Sequence, residues 1–274
     1  MSTVQGSRPT MSQRMGWAIA DGIVVTRRSL LHFTRVPTLL VFSVVQPIMF
    51  VLLFRYVFGG AITAPGGIPY VNYLLPGIFV QTAIFGSTQT GIGLAEDLKS
   101  GLIDRFRSLP MARSAVLVGR TTTDLVRNLV VVLLMIGVGY LVGFSFDYGL
   151  IPALGAIGLS VAIGFAFSWV SATIGLLIRD VESVQAASFT WIFPLTFISS
   201  VFVPLDSMGP FLEAIARNNP VTIWANTVRV LTVGPLILGP GETVEGLIVK
   251  STLWIVGILA VFAPVSIRRY RKLT

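Results

Sequence analysis

Side chains that carry out catalysis in most enzymes are scarce in this sequence. The 274 residues include no cysteine and one histidine, His32, so disulfides, thiolate sites and metal clusters that need several His or Cys ligands are excluded. A serine protease of the membrane interior needs a histidine base within the bilayer, but His32 precedes the first long apolar segment. We therefore expect no catalytic residue, no metal site and no enzymatic activity.

Acidic residues that could carry protons through a membrane are also missing. A proton-coupled carrier needs Asp or Glu near the middle of the bilayer, and no acid lies at the centre of any of the long apolar segments. The sequence therefore disfavours proton coupling. Any transport would take its energy from outside the chain.

The densest run of charge is residues 96–113, EDLKSGLIDRFRSLPMAR. In helical geometry its apolar side chains would form one ridge, and Pro110 would end the helix. The ridge comprises Leu98, Leu102, Ile103, Phe106 and Leu109. The remaining surface would carry Glu96, Asp97, Lys99, Asp104, Arg105 and Arg107. The pattern predicts a short amphipathic helix.

Three interpretations of this helix are open from the pattern alone. It could lie on lipid, insert its ridge into a groove on a soluble partner, or be an ordinary solvated loop. Its acids disfavour a purely lipid-facing position, because anionic head groups repel Asp and Glu. Mixed charge around an apolar ridge suits a protein groove, where the charges set the register.

The composition indicates a membrane protein. Hydrophobic residues make up 54% of the chain and charged residues 12%, about half the usual charged fraction of a soluble domain. The formal net charge is +8, but the positive residues flank apolar runs and do not line a soluble face. We therefore exclude nucleic acid as a partner.

Six runs are apolar enough to span a bilayer, for which about 20 residues are needed. They are residues 36–58, 74–95, 129–146, 150–178, 184–203 and 247–267. All must be helices, because unpaired backbone amides in hydrocarbon are too unfavourable. The predicted fold is all-α, a polytopic protein with six transmembrane helices. It has a single domain over residues 1–274, whose membrane part is 36–267.

Arg and Lys residues predict the orientation of these spans. They cluster in residues 8–35, 99–120 and 268–272, whereas residues 59–73 contain none. An even number of spans with both termini cytoplasmic fits this distribution. We expect a multi-pass protein of the cytoplasmic (inner) membrane, with a cytoplasmic N-terminal segment, 1–35, and a basic tail, 268–274.

The N-terminal segment has an amphipathic pattern of its own. Its charged face would hold Arg14, Asp21, Arg28 and Arg35, and its apolar face Met15, Ile19, Ile23 and Leu30. A basic amphipathic helix with Trp17 suits the head-group layer. The alternative is a soluble helix packed on the loops.

Polar residues inside the predicted spans are candidates for a substrate path. They are Gln46, Gln81 and Gln89, although a glutamine in a span more often hydrogen-bonds a neighbouring helix. Arg120, Asp124 and Arg127 share one face of the third span, as a local ion-pair cluster in the head-group zone. The alternative is a gate, or a contact to the N-terminal helix.

The connection between the fifth and sixth spans is rich in proline yet apolar. Pro194, Pro204, Pro210 and Pro220 interrupt it, and residues 211–233 are still apolar. We predict short helices that enter the outer leaflet without crossing it, a re-entrant external segment that includes Asn219 and Arg229. A seventh span over residues 221–233 would be too short.

Three stretches resemble the type-2 ABC exporter permeases of the daunorubicin-resistance (DrrB-type) branch. DLKSGLIDRFRSLPMARSAVLVGR looks like the family's segment after the second span, with matches at Gly101, Asp104, Arg105, Phe106, Arg107, Leu109, Pro110, Arg113, Gly119, Arg120 and Asp124. YLLPGIFVQ resembles the start of span two. FPLTFISSVFVPLDSM and NNPVTIWANTVRVL resemble the fifth span and a re-entrant external segment, with matches at Pro194, Ser199, Ser200, Pro204, Asn219, Pro220 and Arg229.

This resemblance implies a membrane subunit that pairs with a second permease, identical or related, over two cytoplasmic ATPase subunits. The charged helix would couple the ATPase to the membrane part through Leu98, Gly101, Leu102, Ile103, Asp104, Arg105, Phe106, Arg107 and Leu109. The sequence has no G-x-x-x-x-G-K-[ST] run, which a phosphate-binding loop requires. ATP and Mg²⁺ are therefore expected on the partner, and membrane lipids around the permease.

The expected function is export of a hydrophobic drug, lipid or glycolipid, driven by the separate ATPase. The alternative is a polysaccharide or glycan exporter of the same fold, which many aromatic rings facing a tunnel would favour. The aromatic content of 11% does not decide between them.

Overall fold

The computed structural model describes residues 37–101, 115–239 and 241–273, and all regular secondary structure in these ranges is helical. Its α-helices are α1 Pro37–Leu52, α2 Tyr70–Lys99, α3 Ala115–Leu141, α4 Leu150–Ile178, α5 Val181–Phe197, α6 Pro210–Asn218, α7 Pro220–Val233 and α8 Val244–Leu273. The all-α prediction is confirmed for these residues. The predicted N-terminal helix and residues 102–114 of the charged stretch lie outside them.

The first predicted span is covered by α1 and a π-helical turn that continues it. The turn is Leu53–Phe58, and Pro47 lies within α1, where its missing N–H removes one backbone hydrogen bond. π-helical turns are wider than α-helical ones and often occur at functional sites. The turn Leu53–Phe58 contains Phe54 and Phe58, which belong to a series of phenylalanine contacts described below.

The central helix of the bundle is α2. Its 30 residues pack against α3, α4, α5 and α7, most extensively against α4. Two glycines allow this close approach. A Cβ on Gly91 would lie 2.4 Å from the carbonyl oxygen of Ser171, and a Cβ on Gly175 would lie 2.3 Å from that of Gly91. A side chain at either position would force α2 and α4 apart.

Three stretches of the described residues are long and apolar enough to cross a bilayer: Gly119–Leu141, Leu150–Ile178 and Val244–Lys272. Ser43–Phe58 is a shorter apolar helix. α2 has the length of a span but carries buried polar side chains, and α5 has 17 residues, fewer than the usual span of about 20. The chain is a helical membrane protein with several apolar spans, and the number six stays a prediction.

Several helices differ in length from the predicted spans, and α2 and α5 show the physical reasons. α2 begins before residue 74 and continues to Lys99, because its polar residues are buried against neighbouring helices. α5 ends at Phe197 and not at residue 203. Pro194 lies in its last turn, and Ile198 leaves helical geometry at φ −89° and ψ 57°.

α7 is enclosed by α2, α4 and α8. The indole N–H of Trp224 donates to the carbonyl oxygen of Ser251 in α8 at 3.3 Å. At the other end of α7, the backbone N–H groups of Asp147 and Tyr148, in the α3–α4 connection, donate to the carbonyl of Thr232. With 14 residues, α7 is about 21 Å long, too short to cross a bilayer.

Candidate functional site

An ion pair joins the end of α2 to the start of α3. The guanidinium of Arg120 contacts the carboxylate of Asp97, and the Arg120 side chain passes directly over Gly93, where a Cβ would lie 1.4 Å from Nη2. Gly93 therefore leaves the space that this pair needs. The partner was not expected from the sequence, which assigned Asp97 to the surface of the charged helix.

A second, more buried ion pair lies further along the same helices. Arg127 Nη2 is 3.1 Å from Asp124 Oδ1, and the two side chains are 8% and 10% exposed. The hydroxyl of Thr90 donates to Asp124, and Arg127 donates to the carbonyl of Gly86, so both charges are held against α2. The predicted cluster of Arg120, Asp124 and Arg127 is thus divided between two contacts with α2.

Of the nine residues expected to couple the ATPase, Leu98 and Gly101 are described. Leu98 lies in the last turns of α2 and packs on a small buried cluster of Leu94, Leu117, Ala172, Leu176 and Tyr270. α2 is capped by Ser100, and Gly101 follows at φ +66°, which favours glycine. Residues 96–113 therefore do not form one continuous helix, because α2 ends at Lys99 and is followed by Ser100 and Gly101, which lie outside the helix.

The other residues of this group lie outside the described ranges: Leu102, Ile103, Asp104, Arg105, Phe106, Arg107 and Leu109. Their helical structure stays a prediction.

The α4–α5 connection lies beside the end of α2. Asp180 caps α5, since its Oδ2 accepts a hydrogen bond from the backbone N–H of Ser183 at 2.9 Å. This hydrogen bond, with a smaller contribution from Lys99 of α2, lowers the pKa of the Asp180 carboxyl. The carboxylate is therefore ionised near neutral pH and stabilises the start of α5.

Eight phenylalanines form a continuous series of ring contacts on one side of the bundle, which we call the phenylalanine ladder. They come from α1 and its π-helical turn, α2, α5 and the turn after α5: Phe50, Phe54, Phe58, Phe85, Phe189, Phe193, Phe197 and Phe202. Neighbouring ring centroids lie between 4.4 and 6.4 Å apart. Phe58, Phe193 and Phe197 are still 42%, 40% and 43% exposed.

The three candidate glutamines fall into two groups. Gln46 and Gln89 are exposed, and each lies about one helical turn from a ladder phenylalanine, on the same helix face. Gln185 was not among the candidates from the sequence. It lies one helical turn before Phe189 on α5 and is also exposed. Gln81 is 4% exposed, and its Nε2 has no hydrogen-bond partner among the described residues.

The side chain of Arg229, on α7, is fully buried. Its Nε donates to the carbonyl of Tyr73 at 2.7 Å, and its Nη1 donates to Ser200 Oγ at 2.9 Å and to Asn226 Oδ1 at 2.7 Å. Its Nη2 donates to the carbonyls of Ser200 and Val201. The guanidinium carbon also lies 3.7 Å from the ring centroid of Tyr73.

The acceptors that the described residues offer to Arg229 are all uncharged. A buried cation without a carboxylate is held by the number and alignment of its hydrogen bonds. These bonds join three parts of the chain, namely the start of α2, the turn after α5 and α7 itself. Gly77 leaves room for them, since a Cβ there would lie 3.0 Å from Arg229 Nη2.

Asn219 joins the end of α5 to the start of α7. Its Nδ2 donates to the carbonyls of Leu195 and Ile198 at 2.7 and 2.6 Å, and its Oδ1 accepts from the backbone N–H of Val221 at 2.8 Å. Pro220 occupies the first position of α7, where proline is favoured. Pro204 is buried before the short turn Leu205–Ser207. Of the residues predicted for the external segment, Asn219 and Pro220 thus begin α7, and Arg229 lies further along the same helix.

Comparison with known proteins shows the family of the chain. The model of the ABC-2 type transporter family matches residues 22–233. The chain is 32% identical over 267 residues to the daunorubicin resistance ABC transporter permease protein DrrB1 of Streptomyces coeruleorubidus, covering 97% of this chain and 90% of the relative.

The chain belongs to the ABC-2 type transporter family.

Other members are more distant. The probable doxorubicin resistance ABC transporter permease protein DrrC of Mycobacterium tuberculosis is 29% identical over 263 residues, which are 93% of this chain and 89% of the relative. The putative transport permease ycf38 of Cyanophora paradoxa is 25% identical over 220 residues, 78% and 74% of the two chains. As an ABC-2 protein, the chain is the membrane-embedded permease subunit of an ABC exporter, and the family implies an ABC ATPase partner and a dimeric arrangement.

Two sets of residues in this permease were missed from the sequence. The ladder phenylalanines on α1 and on α5 recur every four residues, a signal that was available. Tyr270 was assigned only to the basic tail, and its buried position depends on contacts with three other helices.

Proposed function

We propose that the permease exports a hydrophobic drug across the cytoplasmic membrane, as one of two membrane subunits over two ATPase subunits. The observation that carries this proposal is its similarity, over nearly its whole length, to permeases named for daunorubicin and doxorubicin resistance. Residues 1–274 then act as one transmembrane domain with both termini in the cytoplasm. ATP and Mg²⁺ bind the partner, because this chain has no phosphate-binding loop.

In the same proposal, α1, α2, α3, α4, α5 and α8 are the six spans, and α6 with α7 forms the re-entrant external segment. Several contacts support this external placement. Trp224 of α7 packs on Phe167 in the interior of α4, with centroids 5.5 Å apart, while Thr232 contacts the α3–α4 connection. α7 therefore runs from inside the bundle to one end of it, opposite the end where α2 meets α3.

The phenylalanine ladder is the proposed substrate path. It offers a series of aromatic faces, and planar aromatic molecules stack on such rings. Polar side chains are unfavourable against lipid, so exposed Gln46, Gln89 and Gln185 beside the ladder favour a cavity over a lipid contact. Gln81, one helical turn before Phe85, is buried inside the bundle.

A series of aromatic rings on the path would suit a polysaccharide as well as a drug, but the chemistry of these rings favours the drug. Its rings are all phenylalanine, which provides stacking surface but no hydrogen-bond donor or acceptor for sugar hydroxyls. A glycan path would need a polar group near each ring to pair with those hydroxyls. The polysaccharide exporter remains the second candidate because the fold serves both.

The ladder predicts the effect of removing two of its rings. In the double variant Phe54→Ala and Phe193→Ala, daunorubicin export is expected to fall roughly tenfold, because each aromatic contact contributes about 0.5–1.5 kcal/mol. Uptake by vesicles that contain equal amounts of permease measures this. Phe211→Ala is the control, since that ring is 77% exposed on α6 and outside the ladder. Equal export by the double variant and the wild type would remove the ladder from the path.

The function itself is tested by copurifying the permease with its ATPase and reconstituting the complex in liposomes. We expect daunorubicin to stimulate ATP hydrolysis and to accumulate on the far side of the membrane. Phospholipid, glycolipid and oligosaccharide are tested in parallel. Stimulation by oligosaccharide alone would contradict drug export and support the glycan alternative.

A further inference from the structure

Tyr270 is buried in the part of α8 that is otherwise most polar. It is 2% exposed, whereas the neighbouring side chains are exposed: Arg268, Arg269, Arg271 and Lys272. A single buried ring among four solvated cations indicates a specific contact. Lipid anchoring alone would not bury it within the protein.

Tyr270 is clustered with buried side chains from both helices that flank the segment proposed to bind the ATPase. It belongs to a buried cluster with Leu94 of α2, Leu117 of α3, and Ala172 and Leu176 of α4, on which Leu98 of α2 also packs. Leu94 and Leu98 lie in the last turns of α2, and Leu117 lies in the first turn of α3. The end of α2 and the start of α3 therefore lie beside this buried cluster.

The Asp97–Arg120 ion pair lies at the same place. It joins the last turn of α2 to α3, and the Asp97 carboxylate lies near the Tyr270 hydroxyl. The ends of the segment are thus fixed to each other by the ion pair and to α8 by the tyrosine.

We propose that Tyr270 is a positioning residue for ATPase coupling: it fixes both ends of residues 102–114 to α8. This inference rests on the proposed function, because it takes that segment as the ATPase contact. Tyr270 itself does not touch the substrate.

α8 connects this contact to α7. Ser251 of α8 exchanges a hydrogen bond with Thr227 of α7, with 2.7 Å between their hydroxyl oxygens, and its carbonyl accepts from Trp224. Ser251 and Tyr270 lie roughly 28 Å apart along one helix. α8 therefore links the Tyr270 cluster to α7, the helix that carries Arg229, with Pro264 lying between the two contacts.

The first test compares Tyr270→Ala with Tyr270→Phe in the reconstituted complex. We expect Tyr270→Ala to retain basal ATP hydrolysis but to lose at least fivefold in daunorubicin-stimulated hydrolysis and in export, and Tyr270→Phe to retain most of both. Trp254→Ala is the control, because that ring is 44% exposed on the same helix.

If Tyr270→Ala does not assemble, Leu117→Ala removes part of the same contact and should give the same uncoupling. Wild-type coupling in an assembled variant would overturn the proposal.

The second test does not depend on the ATPase or the substrate. Because the chain has no cysteine, spin labels can be attached to Ser100→Cys and Lys272→Cys, both exposed positions at the ends of α2 and α8. We expect the distance distribution between the labels to broaden in Tyr270→Ala and not in Tyr270→Phe. An unchanged distribution in Tyr270→Ala would overturn the positioning role. An unstimulated wild-type ATPase would instead contradict the proposed function.

Discussion

Replacing Arg229 by leucine is expected to remove most of the folded permease from the membrane. The five acceptor atoms of Arg229 would each lose a donor in a buried site, and a buried acceptor without a donor costs about 1–3 kcal/mol. The carbonyl of Ser200 keeps a donor in the Tyr73 hydroxyl, and Asn226 Oδ1 keeps one in Ser200 Oγ, so the loss falls on the other three acceptors. That loss is still a large part of the stability of a typical domain, about 5–15 kcal/mol. The measurement is the amount of monodisperse protein after detergent extraction and its melting temperature, which we expect to fall by roughly 10 °C or more.

Two further variants separate this effect from a simple loss of charge. Arg229→Lys keeps the charge but loses the planar fork that reaches the carbonyls of Ser200 and Val201, so we expect an intermediate melting temperature. Arg217→Leu is the matched control. Arg217 is exposed on α6 and pairs with Glu213 at 2.5 Å, and exposed pairs contribute little. Equal melting temperatures for Arg229→Leu and Arg217→Leu would show that the Arg229 site does not hold α7.

Changes in the proposed ATPase contact are expected to abolish export without reducing the amount of permease. The variants are Phe106→Ala and the charge reversals Asp104→Arg and Arg105→Glu. A buried aromatic anchor at a protein interface typically contributes about 2 kcal/mol or more, and reversed charges oppose the partner's complementary ones. We expect drug accumulation in cells to rise to the level of cells without the transporter, more than a tenfold loss of efflux.

Membrane abundance must be measured in the same cells. Asp206→Arg serves as the control for charge reversal, since Asp206 is exposed in the short turn before α6, on the proposed external side. Its efflux should equal that of the wild type. Normal efflux in all three variants of the contact would show that the ATPase does not bind there.

The apolar runs of the sequence predict helices well, because few structures other than a helix satisfy the backbone hydrogen bonds in hydrocarbon. It underestimates the length of α2 for a physical reason. Asn72, Thr90 and other polar residues lie inside the bundle, and their hydrogen bonds, such as that from Asn72 to Asp147 at 3.2 Å, cannot be deduced from one helix alone. The hydropathy pattern therefore predicts a shorter range for the central helix than the structure shows.

Partners across helices were the least predictable feature. Spacing placed Arg120 and Asp124 on one face, but Arg120 pairs with Asp97 from another helix. The acceptors of Arg229 are mostly backbone carbonyls, which every residue has, so no side-chain pattern identifies them. In contrast, the resemblance singled out both Ser200 and Arg229, and the two side chains are hydrogen-bonded to each other.

The central claim is that residues 102–114 face the cytoplasm, where an ATPase can bind them. The absence of cysteine allows a direct test with Arg105→Cys, Arg107→Cys and, as the external reference, Asp206→Cys, each labelled with a membrane-impermeant maleimide. In intact cells we expect label at position 206 only, and in inside-out vesicles label at 105 and 107 only. Labelling of positions 105 and 107 in intact cells would place this segment outside and contradict the account.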